Sequence, residues 1–221
     1  MPRLLATAVI AALLGACTAS AWPDGPPATT PAASAAADAT AGANPRGASA
    51  EDDARQPASL LPRGGSQVFP AYRLVGYAGA PGSAALGRLG VGRLEDRVAE
   101  LEPLAARYAS GRQPLPVLEV IATVVRSTPG ADGGYRTRLG DDVIERHLAA
   151  ARATQGYLLL NIQPGRADLL QEVQAYERWL REPDVGVALD PEWAVGPGQV
   201  PGRVFGQVTG AQLDGVAAYL S

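Results

Sequence analysis

The sequence predicts an α/β fold in which four strand–helix units build one parallel sheet. From Gln67 to Ser221, short apolar runs alternate with amphipathic stretches, which is the pattern of a βα series. Proline or glycine separates the runs, at Pro114, Gly156 and Pro183, where each preceding helix is expected to end. The chain contains one cysteine, so a buried core rather than a disulfide must stabilise the domain.

Each unit pairs one predicted strand with one predicted helix. The strands are expected over residues 72–77, 117–124, 157–163 and 185–190, and the helices over 94–109, 141–154, 167–180 and 211–220. Parallel strands need covered faces, and right-handed crossovers place the helices outside. Two closures fit this pattern: a partial (β/α)8 TIM barrel, which is preferred, and an open doubly wound sheet. A complete barrel takes about 250 residues, so the barrel interpretation implies a truncated or split product, or a half-barrel that needs a partner.

The first 17 residues have the form of a signal peptide. Arg3 supplies a positive charge, and residues 4–14 form an apolar run that is too short for a permanent membrane span. The segment that ends at Cys17 reads Leu-Gly-Ala-Cys and resembles the lipobox of bacterial lipoproteins, in which the cysteine is diacylated. The resemblance implies lipidation of Cys17 and an exported protein anchored by lipid to the outer face of the cell membrane.

Residues 18–65 are rich in Ala, Pro, Thr and Ser. Such a segment buries too little apolar surface to offset the entropy cost of ordering it. We expect a disordered tether here, followed by one α/β domain over residues 66–221.

The charge and histidine content exclude several partner classes. The formal net charge is −3 and the sequence has no cluster of cations, so nucleic acid is not an expected partner. The single histidine, His147, has no cysteine or second histidine to complete a metal site, and a surface position is expected for it. We expect no metal and no cofactor, and the sequence predicts no oligomeric state.

Polar residues share one parity along the predicted strands. Asp190 alternates with the apolar residues of the fourth strand, and Glu192 keeps the same parity two residues later. Ligands of parallel α/β folds bind at the carboxyl ends of the strands. The sequence therefore predicts one polar mouth lined by Tyr77, Thr123, Asn161, Gln163, Asp190 and Glu192. Arg73 and Glu119 would lie deeper, and a structural ion pair is the preferred interpretation of these two.

Asp190-Pro191-Glu192-Trp193 is the sharpest local feature of the sequence. Two carboxylates in different environments can hold different pKa values, so that one donates a proton while the other stays charged. Glycoside hydrolysis requires such an acid, and Trp193 is suited to stack on a sugar ring. A strand-end turn with Asp190 as a cap explains the same residues without chemistry.

The ten residues from Asp184 to Trp193 resemble the fourth-strand signature of chitinase-type and related glycoside-hydrolase-like TIM barrels. The resemblance implies Glu192 as the catalytic acid and Asp190 as its partner. Residues 156–193 also resemble a group of uncharacterised bacterial lipoproteins of the same barrel type.

These patterns lead to an expected function with one alternative. We expect a cell-envelope lipoprotein whose glycoside-hydrolase-like domain acts on or binds carbohydrate, with Glu192 and Asp190 as catalytic residues. Tyr77, Thr123, Asn161, Gln163 and Trp193 are the expected substrate-binding residues. The alternative is a non-catalytic binding or scaffolding lipoprotein, or an inactive truncated barrel, and fold analogy does not decide between them.

Overall fold

The computed structural model describes residues 61–221, which form one five-stranded sheet with helices packed on it. Cys17, the predicted signal peptide and the tether up to residue 60 lie outside the described residues. The strands are β1 (Tyr72–Gly79), β2 (Gln113–Val125), β3 (Arg136–Arg138), β4 (Tyr157–Ile162) and β5 (Val185–Leu189). The helices are α1 (Leu94–Arg107), α2 (Asp141–Ala153), α3 (Leu169–Gln174), α4 (Glu177–Leu180) and α5 (Gly210–Leu220).

Four of the strands are parallel and lie in the order β1-β2-β4-β5. The prediction of an α/β fold with four parallel strands is therefore confirmed. The order follows the chain without reversal, whereas a doubly wound sheet reverses at a switch point. The fifth strand, β3, was not predicted. It pairs antiparallel with the end of β2. Thr123 of β2 pairs with Ile162 of β4 on one side and with Arg138 of β3 on the other. The strand β3 therefore lies on the same side of β2 as β1, beyond the end of β1 at Gly79.

One face of the sheet packs against all five helices. The side chains of Leu118, Leu158 and Val187 form a single buried cluster with Leu101 of α1 and Ile144 of α2, and α3, α4 and α5 contribute to the same cluster. Every residue of β4 is buried, as expected for a central parallel strand that is covered on both faces.

The other face carries a smaller apolar cluster built around Tyr72, Val117 and Tyr157, and Leu61 is buried in it. Arg63 also belongs to the fold, since its guanidinium donates to the carbonyl oxygens of Pro114, Gln155 and Thr154 at 3.0–3.2 Å. Leu61 and Arg63, which fall within the predicted tether, thus contact the sheet and the loops beside it.

The helix predictions hold for three units and fail in one. Residues 167–180 form two short helices rather than one, although Asp168 caps the first by accepting from the Gln171 amide at 2.9 Å. His147 of α2 is buried, not on the surface as predicted: its Nδ1 lies 2.7 Å from the Val143 carbonyl oxygen, and burial lowers its pKa. Among the helices of residues 61–221, none has both the length and the apolar character needed to cross a membrane.

Candidate carboxylate and amide site

Three polar strand-end side chains meet where the sequence predicts a mouth. Asp190 directly follows β5, and its two carboxylate oxygens accept from Asn161 Nδ2 at 2.9 Å and from Gln163 Nε2 at 3.1 Å. The Gln163 side chain is fixed in turn, because its Oε1 accepts from the Val125 amide at 3.1 Å. The predicted grouping of Asn161, Gln163 and Asp190 at the carboxyl end of the sheet is confirmed.

Glu119 joins this group through Asn161. The Asn161 Nδ2 that donates to Asp190 also donates to Glu119 Oε1 at 2.8 Å. The two carboxylates therefore share one amide donor, and this shared donor holds their accepting oxygens close together. Asn161 is 3% exposed, and its buried Oδ1 accepts no hydrogen bond from the residues that the structure describes.

The strand register explains why these side chains share a face. Asn161 lies beside Ala188 in β5, and Asp190 follows Ala188 by two residues. Glu119 lies beside Leu159, two residues before Asn161. Side chains alternate along a strand, and neighbours in register point to the same face of the sheet. The group accordingly lies on the face opposite the helices.

Two carboxyl groups near Asp190 retain their protons more strongly than an ordinary glutamate. Burial raises the pKa of Glu192, an effect partly offset by a backbone hydrogen bond, and the charge of Asp190 raises it further. Burial likewise raises the pKa of Glu119, against the hydrogen bond from Asn161, and Asp190 again adds to the rise. One carboxylate with two amide donors thus lies near two carboxyl groups whose pKa values are raised.

Tyr77 and Thr123 do not join the site, and their predicted positions are corrected. Tyr77 lies beside Leu118 and packs against the helix-side core, because residues 73, 75 and 77 of β1 face the helices. A β-bulge between Ile121 and Thr123 turns Thr123 to that side as well. There its hydroxyl lies 2.9 Å from that of Tyr176, whose pKa burial raises to about 12.

The expected ion pair between Arg73 and Glu119 is also wrong. Arg73 lies on the helix side, where it donates to the Tyr108 carbonyl oxygen at 3.0 Å, while Glu119 lies on the opposite side with Asn161. Glu119 is thus part of the site, whereas the sequence predicted only a structural role for it. Its parity with Asn161 and Asp190 was the available signal.

Glu192 and Trp193 lie in a short 3-10 turn, Pro191–Trp193, immediately after Asp190. Pro191 suits the first position of such a turn, and the Trp193 amide donates to the Asp190 carbonyl oxygen at 3.2 Å. Both side chains are half-buried. The turn keeps Glu192 close enough to Asp190 for the charge of one carboxylate to act on the other.

Three loops meet around this end of the sheet, and Arg166 joins them. Its amide donates to the Gly134 carbonyl oxygen at 2.9 Å, its Nε donates to Gln199 at 2.6 Å, and its guanidinium lies 4.1 Å from the ring centre of Tyr135. Gly165 has a φ of +63°, and a side chain there would come within 2.4 Å of the Gly134 carbonyl oxygen. The close approach of the loops therefore requires glycine at position 165.

The remaining features of the described residues lie elsewhere. A cavity of about 270 Å³ is lined by the loop between β2 and β3, and one of about 200 Å³ lies near Pro62 and Asp184. Neither includes Glu119, Asp190 or Glu192. Within residues 61–221, no group of three or more His, Cys, Asp or Glu side chains could hold a metal ion.

Comparisons with known proteins add no relative. No protein family matches this chain, and no curated protein or solved structure is significantly similar to it. The site geometry must therefore carry the functional argument by itself.

Proposed function

We propose that this protein is a cell-envelope lipoprotein, anchored through lipid on Cys17, whose domain is a partial TIM barrel that hydrolyses or binds carbohydrate. The strand order without reversal and the helices on one face support the barrel architecture. The observation that carries the proposed function is the Asp190 carboxylate, held by two amides next to a Glu192 carboxyl whose pKa is raised.

Glu192 is the proposed general acid. Its half-buried carboxyl keeps a proton to higher pH than an ordinary glutamate because of burial and the nearby charge of Asp190. In glycoside hydrolysis this proton passes to the glycosidic oxygen as the bond from that oxygen to the anomeric carbon breaks. A water molecule then adds to the anomeric carbon, and the proton it releases restores Glu192.

Asp190 is the proposed stabilising anion. Both of its oxygens accept hydrogen bonds, from Asn161 and Gln163, as an ionised carboxylate does. A fixed negative charge favours the positive charge that develops on the sugar ring in the transition state.

The test is the release of reducing ends from purified polysaccharides by the full chain and its variants. We expect Glu192→Gln to lower kcat by at least about 100-fold, the typical contribution of a general acid. Glu145→Gln is the matched control, because Glu145 is exposed on α2, and it should leave the rate unchanged. Equal rates for the wild type and Glu192→Gln on a cleaved substrate would remove Glu192 from the mechanism.

A non-catalytic binding role is the second candidate. The two cavities noted above lie away from Asp190, and deep pockets of about 300–1,000 Å³ are typical of small-molecule sites. A binding role needs only that the partly exposed carboxyl groups of Asp190 and Glu192 accept hydrogen bonds from sugar hydroxyls, without proton transfer. Glycan binding without release of reducing ends, unchanged in Glu192→Gln, would favour this candidate.

A further inference from the structure

We propose that Phe205 is a stacking platform for a sugar ring of the glycan that occupies the Asp190 site. The inference rests on the proposed function, whether that function is hydrolysis or binding, and it names a contact that the sequence patterns did not indicate. Phe205 has an exposed aromatic side chain, and the backbone next to it is hydrogen-bonded to the turn that contains Glu192.

Phe205 is the most exposed large apolar side chain among the described residues, at 82%, and Val204 beside it is also exposed. Single exposed apolar residues are ordinary on protein surfaces. An exposed phenylalanine whose neighbour in the chain is hydrogen-bonded to the turn of Glu192 is different, because sites for small ligands combine aromatic side chains with a few placed polar groups.

The backbone around Phe205 is fixed to the turn that carries Glu192. The Gly206 amide donates to the Glu192 carbonyl oxygen at 2.6 Å, and the Gln207 amide donates to that of Ala194 at 3.1 Å. Position 206 has no room for a side chain, since a Cβ there would lie 2.0 Å from the Ala194 carbonyl oxygen. The backbone that carries Phe205 therefore keeps a defined position relative to the backbone of Glu192.

The loop that carries Phe205 is fixed at its other end too. The Val195 amide donates to the Gly165 carbonyl oxygen at 2.9 Å, and Gln199 closes a local turn by accepting from the Gly196 amide at 2.7 Å. Arg166 holds the carbonyl of Gln199 at 2.6 Å. An ordered loop loses little conformational entropy when it binds a ligand, so an exposed aromatic on it is prepared for contact.

A pyranose ring has the complementary chemistry. One face of the ring carries mainly C–H groups, which suit the face of an aromatic ring, and its edge carries hydroxyls that suit carboxylates and amides. Phe205 supplies the first kind of contact, and Trp193, which follows Glu192 in the same turn, supplies a second ring. The partly exposed Asp190 and Glu192 supply the second kind of contact.

The test measures binding of the full chain to insoluble polysaccharides by sedimentation, with cellulose, chitin and bacterial peptidoglycan as separate probes. We expect Phe205→Ala to weaken binding to the polysaccharide that the wild type binds by about ten-fold, the loss typical of a central aromatic contact. Phe205→Trp should keep binding within about three-fold, because it preserves the aromatic face. Tyr108→Ala is the matched control: Tyr108 is an exposed aromatic that follows α1, at the opposite end of the sheet, and its loss should have no effect.

Each other outcome overturns a different claim. Binding that is equal in the wild type and Phe205→Ala contradicts the platform and leaves the proposed function intact. A wild type that neither binds nor cleaves any of the polysaccharides contradicts both. If Phe205→Ala instead changes the oligomeric state in sedimentation velocity and leaves glycan binding unchanged, the exposed ring is a contact between copies and the inference is wrong.

Discussion

Asn161 is the amide that lets two carboxylates lie side by side, and Asn161→Asp tests that role. The substitution keeps the size and shape of the side chain but replaces the donor with a third carboxyl group. Glu119 and Asp190 then lose their common donor at 2.8 and 2.9 Å and face a further negative charge.

The expected cost follows from the two lost bonds. A hydrogen bond to a charged group contributes about 1.5–3 kcal/mol net. Asp190 is partly exposed and keeps its bond from Gln163, so water and Gln163 recover part of the loss. We therefore expect Asn161→Asp to lower the free energy of unfolding by about 3 kcal/mol near neutral pH.

The cost should depend on pH with a defined sign. Burial and like charges raise the carboxyl pKa values in the folded variant, so the folded state binds more protons than the unfolded state, and stability falls as pH rises through that window. The assay is urea unfolding of the full chain, followed by circular dichroism at about pH 7.5 and about pH 3.5, two values that bracket the ordinary carboxyl range. The difference from wild type should shrink at the lower pH. A cost below about 1 kcal/mol at both values, less than one typical hydrogen bond to a charged group, would refute the reasoning.

Two further predictions concern one half-buried and one fully buried carboxyl group. Glu119→Gln should make the protein more stable than wild type near neutral pH and equal to it below about pH 4. The reason is that the pKa of Glu119 is raised in the folded state, so the stability of the wild type declines as pH rises above the unfolded value of about 4.3. Urea unfolding across this pH range checks the prediction, and a stability difference that does not depend on pH would contradict it. Glu172→Ala should cost about 3–5 kcal/mol in the same assay, since Glu172 is 1% exposed and accepts from Arg136 Nε at 2.6 Å and from Arg138 at 2.8 and 2.9 Å. The control Asp141→Ala, which removes the exposed pair with Arg178, should cost about 1 kcal/mol or less, and equal costs for the two variants would be the wrong result.

The parallel sheet could be predicted because its signal is local. The strand β4 is apolar except for Asn161, and the runs in β2 and β5 are bounded by proline or by the carboxylate that ends them. Asn161, Gln163 and Asp190 could be grouped because alternation in a regular strand fixes the face of each side chain. No such signal exists for β3, whose three residues, Arg-Thr-Arg, have no apolar member.

The wrong predictions for Tyr77 and Thr123 have a common physical cause. Assigning side chains to a face by their alternation along a strand assumes that the strand is unbroken and that its register is known. The bulge before Thr123 inserts one residue into β2 and moves Thr123 to the helix side. For β1, only the register with β2 shows that Tyr77 faces the helices while Ala78 shares the side of Glu119. Loop contacts such as that of Gly206 with Glu192 depend on tertiary approach and have no sequence period.

The most direct test of the proposed acid and anion pair is a carbon-13 NMR titration of the side-chain carboxyl groups in the full chain of 22.7 kDa. Glu192 should titrate above the ordinary glutamate value of about 4.3, and its pKa should fall in Asp190→Asn, because the charge of Asp190 is one of the two causes that raise it. A Glu192 that titrates at or below the ordinary value, and does not respond to Asp190→Asn, would contradict its assignment as the proton donor.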